Sequence, residues 1–180
     1  PLFLDTLYAE LEKAKGNENK LKALLVRLQN LSIFDPACGS GNFLIIAYKE
    51  LRRLEMKVIN ALNAASQQTV MYYSGIKLNQ FYGIEINDFA GDVAKTALWI
   101  AESQMMKETE DVVLMHLDFL PLKSNVNIHI GNALQMDWAS IISPSKLSYI
   151  MGNPPFVGQS VRTKDQAHDM NDIWGQGEIE

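Results

Sequence analysis

Two short stretches of this 180-residue chain combine residue types that an ordinary loop does not need. Asp35-Pro36-Ala37-Cys38-Gly39-Ser40-Gly41-Asn42-Phe43 sets a carboxylate beside a turn whose glycines let the backbone bend sharply and let a ligand approach without a Cβ in the way. The third glycine of a dinucleotide fingerprint is replaced by Leu44, and the Gly-Lys-Ser/Thr of a P-loop is absent. An anion in this place repels a phosphate and suits a cationic group, such as an amino-acid ammonium or a sulfonium. The second stretch is Asn153-Pro154-Pro155-Phe156. Its prolines stiffen the backbone, remove N–H donors and leave the carbonyls around Asn153 and Pro154 free to accept. An amide oxygen beside a proline carbonyl suits an exocyclic NH2, and the Phe156 ring offers a stacking face for a planar base. Two smaller clusters are less specific. In Gly83-Ile84-Glu85-Ile86-Asn87 the carboxylate could take both hydroxyls of a ribose or simply be solvated. In Gly131-Asn132-Ala133-Leu134 the amide could pair with an adenine edge or simply form a turn.

These groups need a frame that brings them together, and the hydrophobic pattern supplies one. Leu4, Leu7, Tyr8 and Leu11, then Leu21, Leu24, Leu25 and Leu28, repeat at helical spacing on either side of a polar break at Gly16–Asn19. Ser32–Phe34 reads as a strand running into the glycine turn, and Ala47, Leu51, Leu54, Val58 and Leu62 mark a long helix after it. Gln80–Glu85 reads as a second strand. It is followed by a helix with Asp88 as N-cap and a buried stripe of Phe89, Val93, Ala97 and Ile100. Val126–Ile130 and Leu147–Met151 read as a third and a fourth strand, while Asp111–Pro121 is either an extra strand or an inserted loop. Strands alternating with helices predict an α/β fold, a parallel sheet with right-handed crossovers and helices on both faces. Ligands of such sheets sit at the carboxyl ends of the strands, and all four clusters fall just past those ends.

Composition narrows the classes. At 47% hydrophobic and 21% charged residues, the chain is globular, neither disordered nor fibrous, and no apolar run approaches the roughly 18 residues a membrane span needs. The single cysteine, Cys38, excludes a disulfide framework and a multi-cysteine metal site; with no signal-peptide pattern it predicts a reducing cytosol. Cys38 lacks a neighbouring base and reads as a small loop residue, and the scattered His116, His129 and His168 read as structural or surface groups, so no metal site is expected. Residues 1–60 carry nine Lys/Arg against seven Asp/Glu, whereas residues 61–180 carry seven against fourteen. A chain whose own surface gripped nucleic acid would need a basic face.

Taken together, Asp35-Pro36-Ala37-Cys38-Gly39-Ser40-Gly41-Asn42-Phe43 and Asn153-Pro154-Pro155-Phe156 resemble motifs I and IV of the S-adenosylmethionine-dependent N6-adenine DNA methyltransferases. The group is the one in which the cofactor motif precedes the catalytic motif, and the wording is similar to large bacterial enzymes of restriction-modification or phage defence. The resemblance covers nearly the whole chain and implies a partial, Rossmann-like class I methyltransferase fold with a mostly parallel sheet. It implies S-adenosyl-L-methionine as cofactor. Asp35, Pro36, Ala37, Cys38, Gly39, Gly41, Asn42 and Phe43 would hold its methionine part, Glu85 with Ile86 the ribose, and Asn132 with Ala133 the adenine. Asn153, Pro154, Pro155 and Phe156 would act on an adenine flipped out of double-stranded DNA. Many relatives carry an aspartate, followed by a bulky residue, where this chain has Asn132 and Ala133.

Two other readings stay open from the residues alone: methylation of a protein glutamine or an RNA amino group, and a non-catalytic cofactor-binding or assembly module. The Pro36-Ala37-Cys38 wording favours DNA adenine over the first. The expected organisation is a helical segment over 1–30, a cofactor-binding and catalytic core over 31–157, and a polar, mobile segment over 158–180 with one aromatic, Trp174. A sheet of this family has more strands than the pattern shows, and no target-recognition domain is legible. The expectation is therefore a core piece of a longer enzyme, able to bind cofactor at best. Residues 1–180 alone are expected to transfer no radiolabelled methyl to DNA, and measured transfer would overturn that view.

Overall fold

The computed structural model describes residues 2–66, 75–113, 125–154 and 162–174. The leucine-spaced N-terminal stretch forms α1 (Leu2–Ala14) and α2 (Glu18–Gln29), separated at Gly16 and restarted by Asn17, whose side chain accepts from the Lys20 N–H at 3.1 Å. Strand β1 (Ile33–Asp35) leads through the glycine turn into α3 (Asn42–Ala65). A short 3₁₀ turn at Leu78–Gln80 precedes β2 (Phe81–Glu85), α4 (Asp88–Val113), β3 (Asn127–Ile130), a one-turn helix α5 (Trp138–Ile141), β4 (Tyr149–Ile150) and α6 (Lys164–Trp174). All strand pairs are parallel, in the order β3-β2-β1-β4, so the chain crosses over between every pair of strands as the βα alternation requires.

The period of two along the strands divides the apolar residues between the faces of the sheet. Ile33 and Phe81 join the main core, in which the leucines of α1 and α2 pack with Leu44, Leu51, Leu54 and Leu62 of α3. Phe34 and Ile84 face the other way, against Ile142 and the Trp138 ring, which meets Phe34 edge-on at 5.1 Å. Among the described residues, no helix is long and apolar enough to cross a membrane.

Three features differ from the sequence expectation. The buried face of α4 is Ala94, Leu98, Ala101 and Met105, whereas Phe89 is 79% exposed and Ile100 53%. Close approach decides this. Ala94 lies against the Gly41 turn, and a Cβ on Gly91 would run into Ile130 of β3, so the small-residue face of α4 turns inward and the larger apolar stripe is left outside. The N-cap of α4 is Asn87 and not Asp88: the Asn87 side chain accepts from the Ala90 N–H at 2.9 Å, and Asp88 is already in the first turn. Helix α6 occupies a tail that shows no clear apolar period. Thr163 starts it with a capping box, its hydroxyl accepting from the Gln166 N–H at 3.2 Å while the Gln166 side chain accepts from the Thr163 N–H at 3.0 Å. The stretch Asp111–Pro121, read as either an extra strand or an inserted loop, falls partly in α4, through Val113, and the remainder lies outside the described residues.

A buried polar network ties the helical layer. Glu55 on α3 has no solvent exposure and accepts from the Gln29 side chain at 3.1 Å and the Gly75 N–H at 2.7 Å. The neighbouring Arg52 donates to the Tyr48 hydroxyl at 2.9 Å and the Thr109 hydroxyl at 3.1 Å, and stands 3.8 Å from Glu55. Removing one partner of a buried ion pair strands the other, which costs more than the pair contributes. Glu55→Ala is expected to destabilise the fold by about 3 kcal/mol in urea unfolding; a loss below about 1 kcal/mol would show that the network is dispensable.

Candidate active site

The pairing of Asp35 with Gly83, of Glu85 with Ile130 and of Phe34 with Ile150 brings the carboxyl ends of the four strands to one rim. Strand β1 lies between two neighbours and all three of its residues are buried, so the carboxylate that ends it has no solvent contact. Asp35 Oδ1 accepts from the Ala37 N–H at 3.0 Å, while Oδ2 is buried and accepts no hydrogen bond among the described residues. Burial pushes the Asp35 carboxyl above the usual range; the Ala37 N–H pulls it back in part, and the nearby Glu85 charge adds to the rise. Gly152, just past β4, presses on this carboxylate: a Cβ there would sit 2.6 Å from Asp35 Oδ1. Only a glycine lets the chain pass here on its way to Asn153.

Glu85 ends β2 and holds the glycine turn in place. Its Oε2 accepts from the Gly39 N–H at 2.8 Å and its Oε1 from the Asn87 N–H at 2.9 Å, and the Cys38 N–H donates to the Ile84 carbonyl at 2.9 Å. Gly41 takes the left-handed conformation, with φ +81°, and caps α3 without a side chain, its Cα side lying against Ala94. The Cys38 thiol is buried between these groups and pushed up to about 12, by burial first and then by the Asp35 and Glu85 charges. Burial and both carboxylates thus disfavour the thiolate that a nucleophile needs.

The third cluster joins the same rim, because the Gly131 N–H donates to the Glu85 carbonyl at 2.9 Å. Asn132 closes a turn, its Oδ1 accepting from the Leu134 N–H at 3.0 Å, and its Nδ2 donates to Asp169 Oδ2 on α6 at 2.6 Å. Gln135 Nε2 donates to the other Asp169 oxygen at 2.7 Å. The sequence reading does not contain Asp169 or Gln135; the capping box that starts α6 was the only local signal pointing to this helix. Ala133 packs in the smaller core, and its carbonyl accepts from the Trp138 indole at 2.8 Å. Asn42, Phe43 and Ile86 stand exposed at the rim, Pro36 and Ala37 are half-buried beneath them, and Asn153 and Pro154 are exposed past β4. Pro155 and Phe156 lie outside the described residues, as does His116. His168 pairs with Asp172 at 3.2 Å on the surface of α6.

The donor set can be tested against a methionine-derived cofactor. A buried carboxylate oxygen that accepts no hydrogen bond among the described residues suits a cationic donor, because an ammonium would lower the cost of keeping the charge there. The site fits a ligand with a positive amino-acid end, and it does not fit a phosphate.

Comparison with known proteins identifies the family. The family model for the DNA-methyltransferase domain of MmeI matches residues 11–179. The chain is 44% identical over 179 residues to a DNA methyltransferase A of Bacillus subtilis, covering 98% of this chain and 20% of that protein. It is 32% identical over 153 residues to a Methanocaldococcus jannaschii protein whose name couples a type II restriction enzyme with a methyltransferase, covering 83% of this chain and 12% of that one. A solved structure of the Type IIL restriction-modification enzyme MmeI in complex with DNA superposes with a TM-score of 0.92 at 43% identity, over 99% of this chain and 24% of that one. The chain thus spans a quarter or less of the length of each of these relatives. With the family match running from residue 11 to residue 179 and the same parallel sheet beneath it, the chain belongs to the MmeI family of restriction-modification enzymes, as its DNA-methyltransferase domain.

Proposed function

We propose that this domain transfers a methyl group from S-adenosyl-L-methionine to N6 of an adenine flipped out of double-stranded DNA, within a restriction-modification enzyme of the cytoplasm. The observation that carries the reading is the buried Asp35 oxygen at the glycine turn that has no partner among the described residues, with Gly152 packed against the same carboxylate and leading into Asn153 and Pro154. When bound, the cofactor would supply an electrophilic methyl on a sulfonium. Asp35 would take the ammonium of its methionine part. Glu85 spends one lone pair of each oxygen on the Gly39 and Asn87 N–H groups, and its remaining lone pairs would accept from the ribose hydroxyls.

The acceptor base cannot be reached inside a duplex, so it must leave the stack, and Phe156 would receive it. Asn153 Oδ1 and the Pro154 carbonyl would accept the two N6 hydrogens, which draws the nitrogen lone pair out of ring conjugation and aims it at the methyl. These residues act by positioning and by stabilising the positive charge that develops on the nitrogen, and no general base is needed before attack. The acidic balance of residues 61–180 fits a division of labour in which parts of the longer protein grip the DNA backbone.

Two outcomes test this. In the intact protein Asn153→Ala should lower methyl transfer about 100-fold or more, the cost of one lost transition-state contact, while calorimetry shows cofactor binding kept; equal loss of both would sink the assignment of Asn153 to the acceptor base. For Asp35→Asn the sign is opposite for stability and for binding. The folded-state pKa of Asp35 lies above its unfolded value, so the wild type loses stability relative to the variant as pH rises through that interval, and the difference vanishes below it. Asp35→Asn should therefore melt higher than wild type at neutral pH without ligand, yet bind S-adenosyl-L-methionine far more weakly. Unchanged affinity in a more stable variant would remove Asp35 from the cofactor site.

A further inference from the structure

Asp169 reaches back from α6 and brackets two amides of the loop after β3. Its carboxylate accepts from Asn132 Nδ2 at 2.6 Å and from Gln135 Nε2 at 2.7 Å, one amide on each oxygen. This clasp is not core packing, since Gln135 is exposed and Asn132 and Asp169 are half-buried at the rim. Asn132 Oδ1 keeps one lone pair after accepting from the Leu134 N–H of its own loop, whereas its Nδ2 is drawn to Asp169, which sets a charged acceptor beside that amide donor. The acceptor beside that donor comes from α6.

The polarity that results is specific. A carboxylate is acceptor-only, with about four lone-pair directions, and the two amides use only two of them. Each amide nitrogen keeps a second N–H. Acceptor next to donor is the complement of an aminopurine edge, where the exocyclic amine donates and the adjacent ring nitrogen accepts. A 6-oxopurine reverses both signs: its carbonyl would face the carboxylate, and its ring N–H would face the amide N–H. The hydrogen bonds from Gln135 first and Asn132 second hold the Asp169 carboxyl below the usual range, which keeps it an acceptor at neutral pH.

The geometry points to Asp169 as the residue that selects an amino-bearing purine on the cofactor, with Asn132 and Gln135 orienting its carboxylate. The inference rests on the cofactor reading above and moves the acceptor role from the loop after β3 to a helix that follows the Asn153-Pro154 motif in the chain. It also accounts for an asparagine at position 132, which an aspartate on α6 can orient and an aspartate at 132 would repel.

The test uses the intact protein, calorimetry, and two probes: S-adenosylhomocysteine and its deaminated counterpart, S-inosylhomocysteine. Wild type should prefer the amino probe by at least about 100-fold, since a site built around a donor rejects an analogue that lacks it. In Asp169→Asn that ratio should fall by about tenfold or more, because an amide can turn an N–H toward the 6-oxo group. Asp169→Glu, which keeps the acceptor, should retain most of the preference. Circular dichroism of each variant checks that α6 persists. An unchanged ratio in a folded Asp169→Asn that still binds would overturn the inference alone, and failure of folded wild type to bind either probe would overturn the cofactor reading with it.

Discussion

A carboxylate without solvent and with one oxygen unsatisfied is the constraint around which this domain is organised. An isolated ion moved into a protein interior costs several kcal/mol even after relaxation. Among the described residues Asp35 is offset by one backbone N–H, and the Glu85 charge nearby worsens its position. The fold tolerates this because Asp35 is not on a loop that could swing out. It ends a fully buried central strand, paired on both sides, with Gly152 against one oxygen. The cost is therefore held in place, and under the proposed cofactor role the same burial that costs stability would strengthen the attraction for a cation.

Glu85 shows how one side chain can hold together the rim on which the proposed site depends. Both oxygens are engaged by backbone N–H groups, one in the glycine turn and one at the start of α4, so the ends of β1 and β2 and the head of α4 are held by a single carboxylate. Glycine and alanine carry the remaining geometry. The Gly41 turn needs Ala94 beside it, and that contact fixes which face of α4 is buried.

Much of this was legible in the residues, and the failures have physical causes. The four strand ends and their order of chemistry could be read because β-prone runs stop at Asp35-Pro36, Glu85, Gly131 and Gly152, and a parallel sheet sends all such ends to one rim. The face of α4 could not, because size and hydrophobicity favour Phe89, Val93 and Ile100, whereas the packing distance to the glycine turn favours Ala94 and Ala101. The cap at Asn87 was displaced by an Asp88 that looks equally suited. Helix α6 lacks an apolar stripe, and its start is written only in the Thr163–Gln166 pair. Asp169 was invisible for a different reason: its role depends on Asn132 and Gln135, more than thirty positions away.

That long-range clasp bears on how the two halves of the chemistry are kept in step. In the order β3-β2-β1-β4, the strand that leads to Asn153 and the strand that leads to Asn132 lie at opposite edges of the sheet. A rim built only from strand ends would leave the Asn153 side and the Asn132 side joined through the sheet alone. Helix α6 follows the Asn153-Pro154 motif in sequence yet docks by Asp169 at the far edge, beside β3. Residues 151–154 after β4 and helix α6 thus stand at opposite edges of the rim, with Asp35 and Glu85 at the strand ends between those edges. A displacement of the Asn132 loop would be felt by α6 through two charge-assisted hydrogen bonds, so the order of the loop after β3 and the order of the helix that follows Asn153-Pro154 in sequence are linked by the same carboxylate.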